Sequence, residues 1–193
     1  MHRKSLLELL ARYARRDAAA QTQAARFASF VSEHDDCLLR SCVPGHITAS
    51  AWILSPDGTQ CLLTHHRKLQ RWLQLGGHVD GESEVQRAAL REAREESGMQ
   101  HLELLVPGRH LEPLDLDVHT IPARKQDPQH EHWDVRFLLR ALPGQELVIS
   151  EESNDLQWIP VSRLTEFTAE ESVVRLQRTA QAWLAQGVSA IHP

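Results

Sequence analysis

The stretch "LREAREESGM" at residues 90–99 restricts the folding options of this chain more than any other. On a helix turning about 100° per residue, Glu92, Glu95 and Glu96 share an arc of roughly 100°. Like charges this close repel, so the arrangement costs free energy unless a cation sits among them. Carboxylate oxygens are hard ligands and suit Mg²⁺ or Mn²⁺. Ala89, Leu90 and Ala93 occupy neighbouring faces, where small side chains let the helix lie close against a sheet. Gly98 then closes the run. Taken alone, "REAREE" is equally an ordinary solvated acidic face in which Arg91 and Arg94 pair locally, so the flanking sequence has to decide.

The rest of the chain surrounds this helix with strands. Residues 5–38 read as helix, with a break at Arg16–Asp17 where Asp17 caps a second segment. Phe27, Phe30 and Val31 form an apolar stripe along it. Pro44 and Gly45 punctuate. "ITASAWIL" and "CLLTH" flank the turn signal "SPDGTQ" and read as a hairpin. "RWLQLGGHVDGE" is a short apolar piece entering a glycine-rich loop, and residues 83–97 are the acidic helix. "HLELLV", "HLEPLDLDVHTI", "EHWDVRFLLRAL" and "DLQWIPV" read as strands, with the polar loop "PARKQDPQH" between the second and third. "SRLTEF" and the segment to Gln186 close the chain as helix, with Val173, Leu176, Ala180 and Leu184 on one face. Strands interrupted by one helix and closed by another predict an α/β sandwich.

Residues 77–99, "GHVDGESEVQRAALREAREESGM", resemble the Nudix box, G-x5-E-x7-R-E-U-x-E-E-x-G-U with U aliphatic. Gly77 fills the first slot, and Arg91, Glu92, Ala93, Glu95, Glu96, Gly98 and Met99 fill the last seven in register. Ser83 stands in the slot of the first glutamate, between Glu82 and Glu84. Either Glu82 takes over support of Arg91 by a one-residue shift, or Ser83 serves as the helix N-cap. The late segment "SEESNDLQWIPVSRL" also resembles the family, with Trp158 as a core residue. The resemblance implies an α/β/α sandwich with a mixed β-sheet over residues 43–193, preceded by a helical extension at 1–42.

It further implies a metal-dependent hydrolase, a pyrophosphohydrolase acting on a nucleoside diphosphate linked to a group X or on a related organic diphosphate. Mg²⁺ or Mn²⁺ would be held by Glu92, Glu95, Glu96 and the Gly77 backbone. The catalytic candidates are Glu95, Glu96, Arg91 and Glu152, the last from the acidic pair Glu151–Glu152 on a late loop. His66, Arg67, Lys68 and His78 are candidates for binding the substrate. His130 and His132 alternate along one strand and therefore face the same way. Asp134 and Arg136 likewise share a face.

The rival reading is a catalytically silent ligand-sensing or partner-binding domain, against which stands the survival of all three box glutamates. An isomerase of the isopentenyl type would need a reactive cysteine, and Cys61 falls mid-strand in a core position. The net charge of −5 and the lack of a basic stripe argue against a nucleic-acid partner. Three cysteines without metal-type spacing fit a reduced setting, so the expected location is cytoplasmic. No apolar run reaches membrane-spanning length. The basic, amphipathic start, "MHRKSLLELLARYARR", is read as a packed helix rather than a targeting segment. The Phe27 stripe is expected to bury on its own chain, with homodimerisation as the alternative.

Overall fold

The computed structural model describes residues 3–124, 128–151 and 153–191. Two helices come first, α1 (Lys4–Tyr13) and α2 (Ala18–Glu33). Asp17 breaks the chain between them as expected, and its carboxylate accepts the Ala20 N–H at 2.8 Å. The helix stops at Glu33 rather than at 38, and residues 35–42 turn back toward the sheet.

Among the described residues nine strands form one mixed sheet: β1 (Gly45–Leu54), β2 (Gln60–His66), β3 (Arg71–Leu73), β4 (Leu75–His78), β5 (Leu102–Pro107), β6 (Asp115–Ile121), β7 (His130–Ala141), β8 (Ser153–Pro160) and β9 (Val188–Ile191). The main order is β3-β2-β1-β7-β5-β9, with β4 added on β1, β6 on β7 and β8 on β2. β1 and β2 form the expected antiparallel hairpin. β1 and β7 run parallel over ten paired positions and make the spine of the sheet. Helix α3 (Val85–Ser97), a 3₁₀ turn (Val161–Glu166) and α4 (Glu171–Gln186) complete the fold.

The alternation of β1 builds an α/β/α sandwich. Ile47, Ala49, Ala51 and Ile53 face one apolar core, shared with α1, α2 and α3. Trp52 and Leu54 face a second core closed by α4. The Phe27 stripe buries on its own chain: Phe30 stacks on Trp133 with ring centres 4.4 Å apart, and Phe27 meets the same indole edge-on at 5.1 Å. Two departures concern the C-terminus. Trp183 takes the buried position on α4, and Leu184 is exposed. Past Gly187 the chain adds β9 to the edge of β5.

Candidate active site

The acidic helix α3 lies on the sheet through Val85, Ala88, Ala89, Leu90 and Ala93, all buried. It ends at Gly98, whose φ of 76° is in the left-handed region and whose N–H returns to the Arg94 carbonyl at 2.8 Å. At its start the N-cap is Glu84, not Ser83, and no side chain caps it. Glu82 does not reach Arg91 either. Its carboxylate accepts the Glu84 N–H at 2.9 Å and so stabilises the loop just before the helix.

Arg91 is oriented by other means. One guanidinium nitrogen donates to Glu92 at 2.7 Å and to Glu95 at 3.3 Å, and the other donates to the His78 carbonyl at 2.7 Å. One side chain thus ties two box carboxylates to the incoming loop. Glu92 is mostly buried; burial pushes its carboxyl above the usual value, against the opposing pull of Arg91. Glu96 is buried and accepts the Gly76 N–H at 3.1 Å. Glu95 is the exposed member of the three.

The loop is built to the shape of these carboxylates. A Cβ on Gly77 would lie 2.5 Å from a Glu92 oxygen, and one on Gly76 would lie 2.3 Å from the Ser50 Cβ. β4 therefore rests directly on β1, with Gly76 opposite Ser50 and His78 opposite Thr48. A grouping of three acidic side chains held by an arginine and a backbone amide is an oxygen donor set that fits a hard divalent cation.

Underneath lies a buried ionic network that sequence reading reached only at Asp134 and Arg136. Thr48 and Ser50 donate to Asp134 at 3.1 and 2.7 Å. Arg136 donates to Asp134, Asp115 and Asp117 at 2.9, 3.3 and 2.8 Å, and Arg175 from α4 donates to Asp115 and Asp117. Burial alone would raise the Asp117 carboxyl, but the His119 hydrogen bond and the Arg136 and Arg175 charges hold it well below its ordinary value. The signal that could have found Asp115 and Asp117 is their alternation in "LDLDVH", which puts both on the face opposite Val118.

A second device was also missed. Arg40 grips Asp80 with two hydrogen bonds, at 2.8 and 3.0 Å, and the Gly81 N–H donates to the Leu38 carbonyl at 2.8 Å. The segment after α2 thus holds the box loop from outside.

The remaining candidates are the β2–β3 turn, His78 of the box loop and a residue outside those described. His66, Arg67 and Lys68 sit on the β2–β3 turn, with local hydrogen bonds: the His66 Nδ1 accepts the Lys68 and Leu69 amides, and Arg67 reaches the Ser153 carbonyl at 3.4 Å. Glu152 lies outside the described residues. His78 is in the loop, its ring centre 4.9 Å from that of His46 and 5.2 Å from that of His132. Cys61 is fully buried and burial pushes its thiol up to about 12, which leaves it without nucleophilic thiolate. Trp158 is half-buried and packs on the first core.

Comparison with known proteins gives the family and the fold. A family model described as the NUDIX domain matches residues 44–179. The chain belongs to the Nudix family of diphosphate hydrolases. No curated protein matches the sequence at a significant level. Among solved structures, a NUDIX-family hydrolase from Clostridium perfringens is 25% identical, with a TM-score of 0.54, covering 74% of this chain and 98% of that one. An Ap4A hydrolase from C. elegans is 19% identical, with a TM-score of 0.53, covering 73% and 98%. The dihydroneopterin triphosphate pyrophosphohydrolase of E. coli is 19% identical, with a TM-score of 0.54, covering 72% and 95%. Among the described residues no helix is long and apolar enough to cross a membrane.

Proposed function

We propose that this protein hydrolyses a phosphoanhydride bond in an organic diphosphate or polyphosphate, with Mg²⁺ or Mn²⁺ held by Glu92, Glu95, Glu96 and the Gly77 carbonyl. The observation that carries the reading is the joint restraint of the three carboxylates: Arg91 spans Glu92 and Glu95, and the Gly76 amide fixes Glu96. A bound divalent ion would supply phosphate charge neutralisation and a lowered pKa for water. The chain's own part is positional. Arg91 holds the carboxylates and the His78 carbonyl in one frame, and Glu96 accepts from the loop that must stay closed against α3. Glu95, exposed and adjacent, is the group best able to take a proton from an attacking water.

Arg67 and Lys68 make the β2–β3 turn cationic, and with the His66 imidazole beside them it is suited to distal phosphates. The fold relatives whose names specify a substrate act on Ap4A and on dihydroneopterin triphosphate. Both substrates contain phosphoanhydrides, which supports the bond class and leaves X open. Residues 1–42 serve this site as a brace rather than as a separate domain, through Arg40 and Leu38.

The test is a panel of nucleotide and non-nucleotide diphosphates, assayed with Mg²⁺ and with Mn²⁺ by product release. Turnover should appear on at least one member. Glu96→Gln should lower kcat by about a hundredfold or more with the fold intact, the scale of losing preorganised charge stabilisation. Near-normal turnover by Glu96→Gln at saturating metal would refute the assignment.

A further inference from the structure

Twelve histidines are many for 193 residues, and the fold gathers five of them at one end of the sheet. His46 on β1 pairs in register with His132 on β7, His132 pairs with His119 on β6, and His78 on β4 sits across from Thr48. His130 lies two residues before His132 on the same strand face. The ring centre of His46 is 4.8 Å from that of His132 and 5.1 Å from that of His130. One ring nitrogen from each of His46, His130 and His132 can be chosen so that all three lie within 4.8 Å of one another.

His46 is the telling member. It is 3% exposed, yet neither ring nitrogen has a hydrogen-bond partner among the described residues. A neutral imidazole carries one donor and one acceptor, and leaving a buried polar atom unsatisfied costs about 1–3 kcal/mol. Such an orphan calls for a ligand. Burial and the neighbouring imidazoles push His46 down to about 4, and burial likewise lowers His132. His130 is already oriented: its Nδ1–H donates to the Pro128 carbonyl at 2.9 Å, which leaves Nε2 with a free lone pair.

We propose that His46, His130 and His132 form a second metal centre, separate from the carboxylates of α3, which binds a Zn²⁺-class transition-metal ion through three imidazole nitrogens. Imidazole ligands select Zn²⁺, Co²⁺, Ni²⁺ or Cu²⁺ over Mg²⁺, the reverse of the preference of a carboxylate cluster. Bonds of about 2.0–2.1 Å place tetrahedral ligand nitrogens roughly 3.3–3.4 Å apart, so nitrogens now within 4.8 Å close in by about 1.5 Å at most. Three protein ligands leave the fourth position to water or to a substrate oxygen, the pattern of a working rather than a structural site. The site is mechanically joined to the Nudix box, because His78 packs on His46 while its carbonyl receives Arg91.

The test uses chelator-stripped full-length protein in excess Mg²⁺, which saturates the carboxylate cluster. Zn²⁺ binding is measured by equilibrium dialysis, and Co²⁺ serves as the probe through its four-coordinate visible absorption. Wild type and Glu96→Gln should each bind one equivalent and give the same cobalt spectrum. His130→Gln and His132→Gln should each weaken binding by at least about tenfold to a hundredfold, a loss that even the outer partners of metal ligands produce. His130 is partly exposed, so that variant should keep the wild-type far-UV circular dichroism. Absence of Zn²⁺ binding by wild type in excess Mg²⁺ would overturn the proposal. So would unchanged affinity in the folded His130→Gln protein, or loss of the cobalt spectrum in Glu96→Gln. None of these readouts involves hydrolysis, so they stand or fall independently of the proposed activity.

Discussion

Gly76 and Gly77 are neighbours, yet replacing each with alanine should fail in different ways. At Gly77 the new methyl would lie 2.5 Å from a Glu92 carboxylate oxygen. To reach an ordinary contact of 3.4 Å the carboxylate must retreat by about 0.9 Å. The obstacle is the end of a flexible side chain, so the backbone need not move. The loss is the Arg91–Glu92 hydrogen bond, worth about 1.5–3 kcal/mol for a charged pair, and part of it returns through rearrangement. A net cost near 1–2 kcal/mol lowers Tm by about 2–8 °C in a chain of this size. Misplacing a catalytic ligand by about 1 Å costs on the order of a hundredfold in rate.

At Gly76 the methyl would lie 2.5 Å from the Ser50 Cα and 2.7 Å from the Ala49 carbonyl oxygen, both backbone atoms of β1, and φ is 154°. Backbone strain of about 1–3 kcal/mol adds to an overpacking cost of about 1–3 kcal/mol. Gly76→Ala should therefore lower Tm by about 4–24 °C. Thermal melts by circular dichroism, run beside initial rates on the best diphosphate, separate the two. If Gly77→Ala kept kcat within about threefold of wild type, the claim that this loop is shaped to Glu92 would be wrong.

Other perturbations test the frame around the site. Arg136→Met leaves the buried Asp134 without its counter-ion, while Arg175 still pairs with Asp115 and Asp117, and should cost about 3–5 kcal/mol in urea unfolding; a loss under 1 kcal/mol would mean that the network is not stabilising as drawn. Phe30→Ala should cost about 3–5 kcal/mol by removing the ring stacked on Trp133, and deletion of residues 1–42 should reduce solubility; an unchanged melt in either would make the helices an independent appendage. Asp117 has a folded pKa below its ordinary 3.8, so its stabilisation is fully present above that pH and is lost as pH falls below it. Asp117→Asn should make the acid limb of the stability curve shallower by about one proton, and an unaltered slope would show that Asp117 is not the acid-sensitive group.

Local features of the chain proved readable wherever one physical cause dominates. Asp17 caps because a carboxylate before an alanine-rich run has few other uses, and Gly98 stops α3 because the next turn needs a left-handed residue. The stripe of Phe27, Phe30 and Val31 had to bury, and Trp133 receives it. What escaped depends on distant partners. β9 is only four residues long and becomes a strand because β5 leaves an edge for it. Trp183 outcompetes Leu184 for the buried position because the second core and the Arg16 guanidinium, 4.6 Å from its ring, both lie on that side of α4. Glu82 missed Arg91 because Glu92, Glu95 and the His78 carbonyl already use its guanidinium. The pairing of His130 with His132 follows from strand alternation, but their meeting with His46 needs the parallel β1–β7 register, set across more than eighty residues.

That register organises the face of the sheet opposite the one on which α3 lies. Along β1 and β7 the paired positions run His46–His132, Thr48–Asp134, Ser50–Arg136 and Trp52–Leu138. The face passes from imidazoles, through ion pairs, to an apolar core within four steps. β4 lies across the polar steps, with Gly76 against Ser50 and His78 against Thr48. On this face β1 is therefore fixed beside β4 not by apolar packing, which tolerates sliding, but by a set of directional hydrogen bonds that accept one position. Ser50 connects the two levels: its hydroxyl donates to Asp134 while its Cα bears the close approach of Gly76. Through Gly76 the constraint reaches Glu96, and through His78 it reaches Arg91. Loosening Asp134 should therefore disturb the carboxylate cluster through β4, from the opposite face of the sheet and without touching a glutamate.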